Sequence, residues 1–321
     1  MASVSKMIKV EKWGLSAVIV VLLVTLPFIL PEYWVYTSTD IMAYCIFALG
    51  LNIVLGYGGM IAFGHAGFYG AGAYVLALLL KKTNVPFWAA LLLAPLLPTL
   101  FGVIIGFFSI RRRAFYFAVI TLAFSELIWA IIIKWYTMTG GENGITGISI
   151  PSIISTTNSL YLFTLAVTSV CVFTIYRIID SPFGRTLRAM RENAQRMEFT
   201  GVNLDKQRLI AFTISAFFAS IGGTMHAIVT RCAFPDLADW PKSGEVVITC
   251  MLGGIHTFFG PVVGVALLFF MNSIVGRFTQ YWPSVLGLLF ILIVFFLPNG
   301  VVGYIQESKL AGWIKRIGRL G

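Results

Sequence analysis

The sequence predicts an all-α polytopic membrane protein with about eight full transmembrane helices plus a broken helical hairpin. Three observations carry that expectation. The 321 residues are 58% hydrophobic and only 11% charged, whereas water-soluble domains are about 25% charged. The apolar residues come in runs long enough to cross a hydrocarbon core about 30 Å thick, which takes about 20 residues of helix. The 23 Lys and Arg residues outnumber 13 Asp and Glu and gather in short clusters between runs, the bias of cytoplasmic loops. This composition excludes a soluble enzyme and a large extramembrane domain. It also excludes a nucleic-acid binder, because the net charge of +10 forms no continuous basic face.

The runs follow in order. Gly14–Leu30, after Lys6, Lys9 and Lys12, is long for a signal peptide and lacks a small-residue cleavage pattern, so it reads as a retained first span. Ile41–Leu55 is the second, and Ile61–Leu80, the third, opens in a glycine-dense stretch. Phe87–Ile110 carries Pro95 and Pro98 as expected kinks. Ala114–Tyr136, Leu160–Ile179 and Leu209–Thr230 come next, with a polar stretch from Asp180 to Arg208 before the last of them. Val246–Gly276, Ser284–Leu297 and an amphipathic basic tail complete the chain. Neither a linker nor a composition shift divides it, so residues 1–321 read as a single transmembrane domain.

Orientation follows from the basic clusters. With the N-terminus inside, Pro31–Asp40, free of Lys and Arg, falls outside. Arg111–Arg113 then fall inside, and Met138–Asn158, whose one charge is Glu142, falls outside. The stretch with Arg185, Arg188, Arg191 and Arg196 lands inside, and only Lys81–Lys82 oppose the pattern. The tail, with Lys309, Lys315, Arg316 and Arg319, is inside only if Val246–Gly276 enters and returns. Its centre, from Gly253-Gly254 to Gly260-Pro261, is where a helix breaks. A broken hairpin is therefore expected there, with both termini cytoplasmic.

The candidate functional residues fall into two groups. The first lies in or beside the broken helices. Seven glycines occur between Gly56 and Gly72, among them Gly59 and Gly64; they allow either tight helix packing or an unwound helix lining a pathway. His65 sits within this stretch as a pathway group or as a buried histidine bonded to a neighbouring helix. Glu126, midway along its run, must pair, face water or be protonated. Glu245, at the mouth of the hairpin, is placed as an acid at a helix N-terminus. Gly254 and His256 lie at the break itself.

The second group is cytoplasmic. Ser181 can cap a helix with Pro182 at its first position, and Gly201 is placed to end it. Between them Phe183, Leu187, Met190, Ala194 and Met197 recur every three or four residues, forming one apolar stripe. Arg185, Arg188, Arg191, Glu192, Gln195 and Arg196 occupy the rest of the helix, and Gly184 follows Phe183 in its first turn. Such a helix lies flat on a membrane or docks in a groove on a partner protein. Charges of both signs at both ends favour the partner.

Other chemistry is missing from the sequence. Cys45, Cys171, Cys232 and Cys250 form no CxxC and have no His-rich neighbourhood, so neither a metal nor a disulfide framework is expected. GxxxxGK[ST], HExxH and GxSxG are absent, so no nucleotide hydrolysis, catalytic residue or bound cofactor is expected in this chain. A self-sufficient channel or ion-coupled carrier is the alternative class, and a multi-pass membrane enzyme a weaker one. The first would use clustered acids, and Glu126 and Glu245 are few. The second would need convergent His and carboxylate residues, whereas His65, His226 and His256 lie in separate runs.

Several blocks, taken in order, resemble the permeases of ATP-driven importers for branched-chain amino acids, and the LivM type more than its LivH-type partner. They are ALGLNIVLGYGG (Ala48–Gly59), GHAGFYGAGAY (Gly64–Tyr74), FAVITLAFSEL (Phe117–Leu127) and TGGENGITG (Thr139–Gly147). SPFGRTLRAMREN (Ser181–Asn193) with TGVN (Thr200–Asn203), SGEVVITCMLGG (Ser243–Gly254), GPVVG (Gly260–Gly264) and LPNGVVG (Leu297–Gly303) follow. The resemblance implies the ABC importer permease fold in a bacterial inner membrane, a second LivH-type permease, and an external substrate-binding protein that sets most of the selectivity. It also implies two ABC ATPase subunits that carry the ATP and magnesium, with residues 181–201 as the helix coupling this chain to them. The Met138–Asn158 loop becomes a surface for the binding protein. Two departures concern the solute: Met60-Ile61-Ala62-Phe63 is fully apolar, and His256-Thr257 stands where the family has Gly-Ser. Related permeases serve urea, short amides and organic acids as well as leucine, isoleucine and valine.

Overall fold

The computed structural model of the protein describes residues 23–83, 85–110 and 114–278, with further positions between 284 and 305. Most of the first run, residues 111–113, half of the ninth run and the basic tail lie outside the described residues. The structure is 84% helical. Among the described residues, five helices are long and apolar enough to cross a membrane: Glu32–Tyr57, Phe87–Ser109, Phe115–Lys134, Thr157–Asp180 and Leu204–Thr230.

Helix α1 spans Glu32–Asn52 and widens into a π-turn at Ile53–Tyr57. It begins nine residues before the expected run, so the polar stretch assigned to an external loop is helical. Pro31 starts it, and the Thr37 and Thr39 hydroxyls donate to the carbonyls of Tyr33 and Val35 one turn back. That internal bonding lets polar residues sit in a helix without an outside partner. Helix α2 (His65–Lys82) starts four residues later than expected, because residues 58–64 are unwound. Helix α3 (Phe87–Ser109) contains both prolines, as expected, and α4 spans Ala114–Lys134. A short α5 (Tyr136–Thr139) and a two-residue strand, β1 (Ile145–Thr146), follow. β1 pairs antiparallel with β2 (Cys232–Ala233). Helix α6 (Thr157–Asp180) leads to α7 (Pro182–Glu192) and α8 (Ala194–Phe199), and α9 is Leu204–Thr230. The expected break is present: α10 (Trp240–Gly253) ends at Gly254, and α11 (Gly260–Phe278) starts six residues on.

Helices α1 and α9 form the centre. Of their apolar stretches, 83% and 72% is buried, against 33%, 28% and 28% in α3, α4 and α6. Composition explains the difference. On α9, Ser215 and Ser220 donate hydroxyls to the carbonyls of Gly50 and Phe68 on α1 and α2. The Thr224 hydroxyl lies 2.8 Å from the Ser220 carbonyl and also stands 3.3 Å from that of Gly72. Small residues beside them bring the backbones close, the packing that replaces hydrophobic driving force in lipid. Helix α3 instead exposes Leu92, Leu100, Phe101 and Phe108, which suits a face turned to acyl chains. Lys82 donates to the Thr137 carbonyl, so the one cluster that opposed the charge pattern sits at the β1–β2 end.

Candidate functional site

The predicted amphipathic segment is built largely as expected, with one difference. The Ser181 hydroxyl accepts the Gly184 amide at 3.4 Å and Pro182 opens α7. At the far end Gly201 adopts φ +82°, and amides of Thr200, Gly201 and Val202 close on the last carbonyls of α8. The single helix expected between them is divided at Asn193, whose side chain accepts the Arg196 amide at 2.9 Å. Asn favours caps over helix interiors because its amide competes for local backbone groups. The stripe also points inward: Leu187 and Met190 are buried in this chain, Phe183 packs against the same core, and Gly184 is buried beside them. Arg185, Glu192, Gln195 and Arg196 are left outward, together with Phe199, which is 92% exposed; Met197 is half-buried.

Several residues named separately in the sequence meet at one junction. Arg191 of α7 donates through Nη1 to the Gly56 carbonyl at 2.6 Å and to His256 Nδ1 at 2.7 Å. Gly56 lies in the π-turn at the end of α1, and His256 lies in the linker between α10 and α11. A guanidinium only donates, so Nδ1 is the unprotonated, accepting nitrogen of this imidazole. Burial and the neighbouring Arg191 charge push the His256 pKa below its usual range, which keeps it so. The close fit depends on glycine. A Cβ on Gly56 would stand 2.0 Å from the Ile255 carbonyl oxygen, and one on Gly59 (φ +66°) would stand 2.5 Å from Arg191 Cγ. Gly254, at φ +119°, turns the linker, with Gly300 packed against its backbone. Arg188 lies 5.5 Å over the Tyr57 ring and donates to the Ile179 carbonyl at 2.7 Å. One arginine thus ties the amphipathic segment to both breaks in the bundle.

The remaining candidates lie elsewhere. Gly64 packs against the Thr121 backbone of α4. His65 is fully buried, 2.7 Å from the Ser215 hydroxyl, and edge-on to Phe68 and Phe212. Ser215 spends its one proton on the Gly50 carbonyl, so it accepts from His65 Nε2–H. Glu126 accepts the Trp240 amide at 3.2 Å and, with Asp239, satisfies the N-terminus of α10. The acid expected at that terminus, Glu245, is the sixth residue of α10, because the helix starts before the apolar run. It pairs with Lys242 at 2.9 Å.

Sequence reasoning left out the residues around that pair. Lys242 Nζ lies 4.8 Å over the ring of Tyr44, Tyr44 is 6.1 Å from Tyr69, and Tyr69 is 5.7 Å from the His226 ring. His226 Nδ1 is 2.6 Å from Asp40. The missed signal was Asp40 and Lys242 standing at the edges of apolar runs that the helices extend beyond. An apolar groove of about 600 Å³ between α3, α6 and α9, lined by Leu92, Leu96, Val170 and Phe217, contains none of the candidate residues. Among the described residues no group of three or more His, Cys, Asp or Glu is placed to hold a metal ion.

A helical bundle with broken helices, tied to an amphipathic segment at one end, is the architecture that the sequence leads one to expect of a membrane permease. The family model "Branched-chain amino acid transport system / permease component" matches residues 33–297, and the chain belongs to that family. It is 31% identical to the high-affinity branched-chain amino acid transport system permease protein LivM of Salmonella typhimurium, over 91% of this chain and 75% of that one. It is 30% identical to the LivM protein of Escherichia coli, over 88% and 73%. The LivH permease of Salmonella typhimurium is 23% identical over 83% and 93%. No solved structure matches.

Proposed function

We propose that this chain is the non-catalytic, LivM-type permease subunit of an ATP-driven importer. It forms half of the pathway for branched-chain amino acids or a related small polar solute delivered by an external binding protein. Its partners are a LivH-type permease and two ABC ATPases, which hold the ATP and magnesium. Residues 1–321 form one transmembrane domain of about eight full spans plus the broken hairpin. It lies in a bacterial inner membrane with both termini cytoplasmic. The family supports the transport reading, and the Arg191 junction supports the coupling. Movement imposed on α7 reaches the end of α1 and the α10–α11 linker through two short hydrogen bonds, without an intervening flexible loop. An ATPase would meet the outward face, with Phe199 as its apolar anchor.

Purification of the tagged chain from native membranes in mild detergent tests this reading. A second permease and two ATPases should co-purify, and Phe199→Asp should release the ATPases while leaving the permease pair intact. Uptake that persists after the ATPases are inactivated would replace the importer with a channel or ion-coupled carrier.

A further inference from the structure

The line of side chains from Asp40 through His226, Tyr69 and Tyr44 to Lys242 and Glu245 lies deep in the bundle. Tyr44 stands midway along the 26-residue helix Glu32–Tyr57. The start of α10 is fixed at a similar depth by independent contacts. Trp240 is bonded to Glu126 within α4, Ala238 packs on Gly70 within α2, and Ser243 accepts the Ala66 amide. Yet the charges are not sealed. The side chains of Asp40 and His226 are each 19% exposed, Lys242 is 26% and Glu245 is 31%. Charged groups at membrane depth do not face acyl chains; they turn to water or to protein. Beside them, the Tyr44 and Tyr69 hydroxyls are buried without a hydrogen-bond partner, although a buried hydroxyl ordinarily has one.

We propose that this cluster is a solute-binding step of the translocation pathway, built for a small zwitterion such as an aliphatic amino acid. The inference rests on the importer reading above and names the chemistry of the solute. The site offers both signs of charge. A carboxylate can take Lys242 from Glu245, and an ammonium can take the released Glu245 or Asp40. When the ammonium takes Glu245, the internal Lys242–Glu245 ion pair is replaced by two external ones, so neither charge is left unpaired as the solute enters or leaves. The unpartnered tyrosine hydroxyls supply further polar contacts. The Tyr44 ring and Phe269, 5.7 Å from it, give an aliphatic side chain an apolar wall. An uncharged solute leaves the Lys242–Glu245 pair closed and gains nothing from it.

The test uses the complete assembly in proteoliposomes, with leucine and urea as probes, reading uptake and ATP hydrolysis together. The wild type should accumulate leucine and not urea. Neutralising the pair with Lys242→Gln and Glu245→Gln should lower leucine uptake about tenfold or more, the worth of a lost charged hydrogen bond, while stimulated ATP hydrolysis continues. Unchanged leucine uptake per ATP would make the pair structural and overturn the proposal. Should that double variant fail to assemble, Tyr44→Phe, which removes only a hydroxyl, decides. A reduced leucine uptake at intact ATP hydrolysis supports the site, and an unchanged one overturns it. A wild type that carries urea but not leucine would overturn the zwitterion site alone. A wild type with no ATP-dependent uptake of either probe would overturn the importer reading itself.

Discussion

The junction around Arg191 and the charged cluster around Tyr44 are built from opposite materials. At the junction one side chain meets mostly backbone, a carbonyl of the π-turn and a glycine at φ +66°, together with the ring of a linker histidine. In the cluster a Lys–Glu ion pair, an Asp–His hydrogen bond and two tyrosines meet through side chains alone. Backbone contacts tolerate no added atom, whereas side-chain pairs can exchange partners. The first arrangement transmits position, and the second can accommodate a solute.

The largest effect should come from filling the backbone contact. Gly56→Val places atoms where the Ile255 carbonyl stands 2.0 Å from a Cβ, and neither backbone can yield cheaply. Overpacking of this kind costs about 1–3 kcal/mol or more, and here it also separates α1 from the hairpin linker. The expected outcome is loss of the folded chain from detergent extracts, read by size-exclusion chromatography. A monodisperse, active Gly56→Val protein would show that the two breaks are not in contact.

Removing Arg191 should act next most strongly, on coupling instead of folding. Arg191→Ala deletes two charge-assisted hydrogen bonds, each worth about 1.5–3 kcal/mol. The complex should assemble, yet uptake per ATP hydrolysed should fall about tenfold or more. Lysine keeps the charge but not the planar fork that reaches Gly56 and His256 together, so Arg191→Lys should recover little. Equal uptake per ATP in wild type and Arg191→Ala would remove the junction from the coupling path.

The same contrast accounts for what was legible in the sequence. Glycine breaks, caps and the three-or-four-residue stripe are local patterns, so α7, Gly201 and the α10–α11 break stand where the sequence places them. One local feature was misread because a competing residue won: Asn193 caps a new helix inside the stripe. The unwound residues 58–64 are one of the two outcomes the glycines allow, and they move the start of α2. The direction of the stripe was not legible. Apolar spacing says that a face is buried, not whether its own chain or a partner buries it. The cluster is less legible still. Asp40, His226 and Lys242 are far apart in the chain, each sits at a run's edge or among apolar residues, and only α9 packing on α1 and α2 brings them together.

His256 gives a smaller, graded effect. Its Nδ1 accepts from Arg191 only while unprotonated, and its pKa lies below the ordinary value of about 6.5. The folded state therefore takes up its proton later than an unfolded chain does. The stabilisation the neutral form provides is complete above about pH 6.5 and is lost as the pH falls through the lowered pKa. Uptake per ATP should decline on acidification of the side facing α7. In His256→Asn, whose side-chain oxygen accepts at any of these pH values, that decline should flatten. Identical profiles for the two proteins would exclude the histidine as the titrating group.

The smallest effect on transport belongs to His65, although an ionisable residue at this depth is a pathway candidate by default. Its Nε2–H is committed to Ser215, whose own proton holds the Gly50 carbonyl, and its ring is wedged against Phe68 and Phe212. That chain of bonds ties α2 to α9 and α1, and the ring is fully buried. His65→Ala should lower the melting temperature of the purified complex, consistent with a cavity cost of about 2–4 kcal/mol. Uptake per ATP and the solute concentration for half-maximal uptake should not change. A shift in that concentration without loss of stability would move His65 from the helix packing into the solute's path.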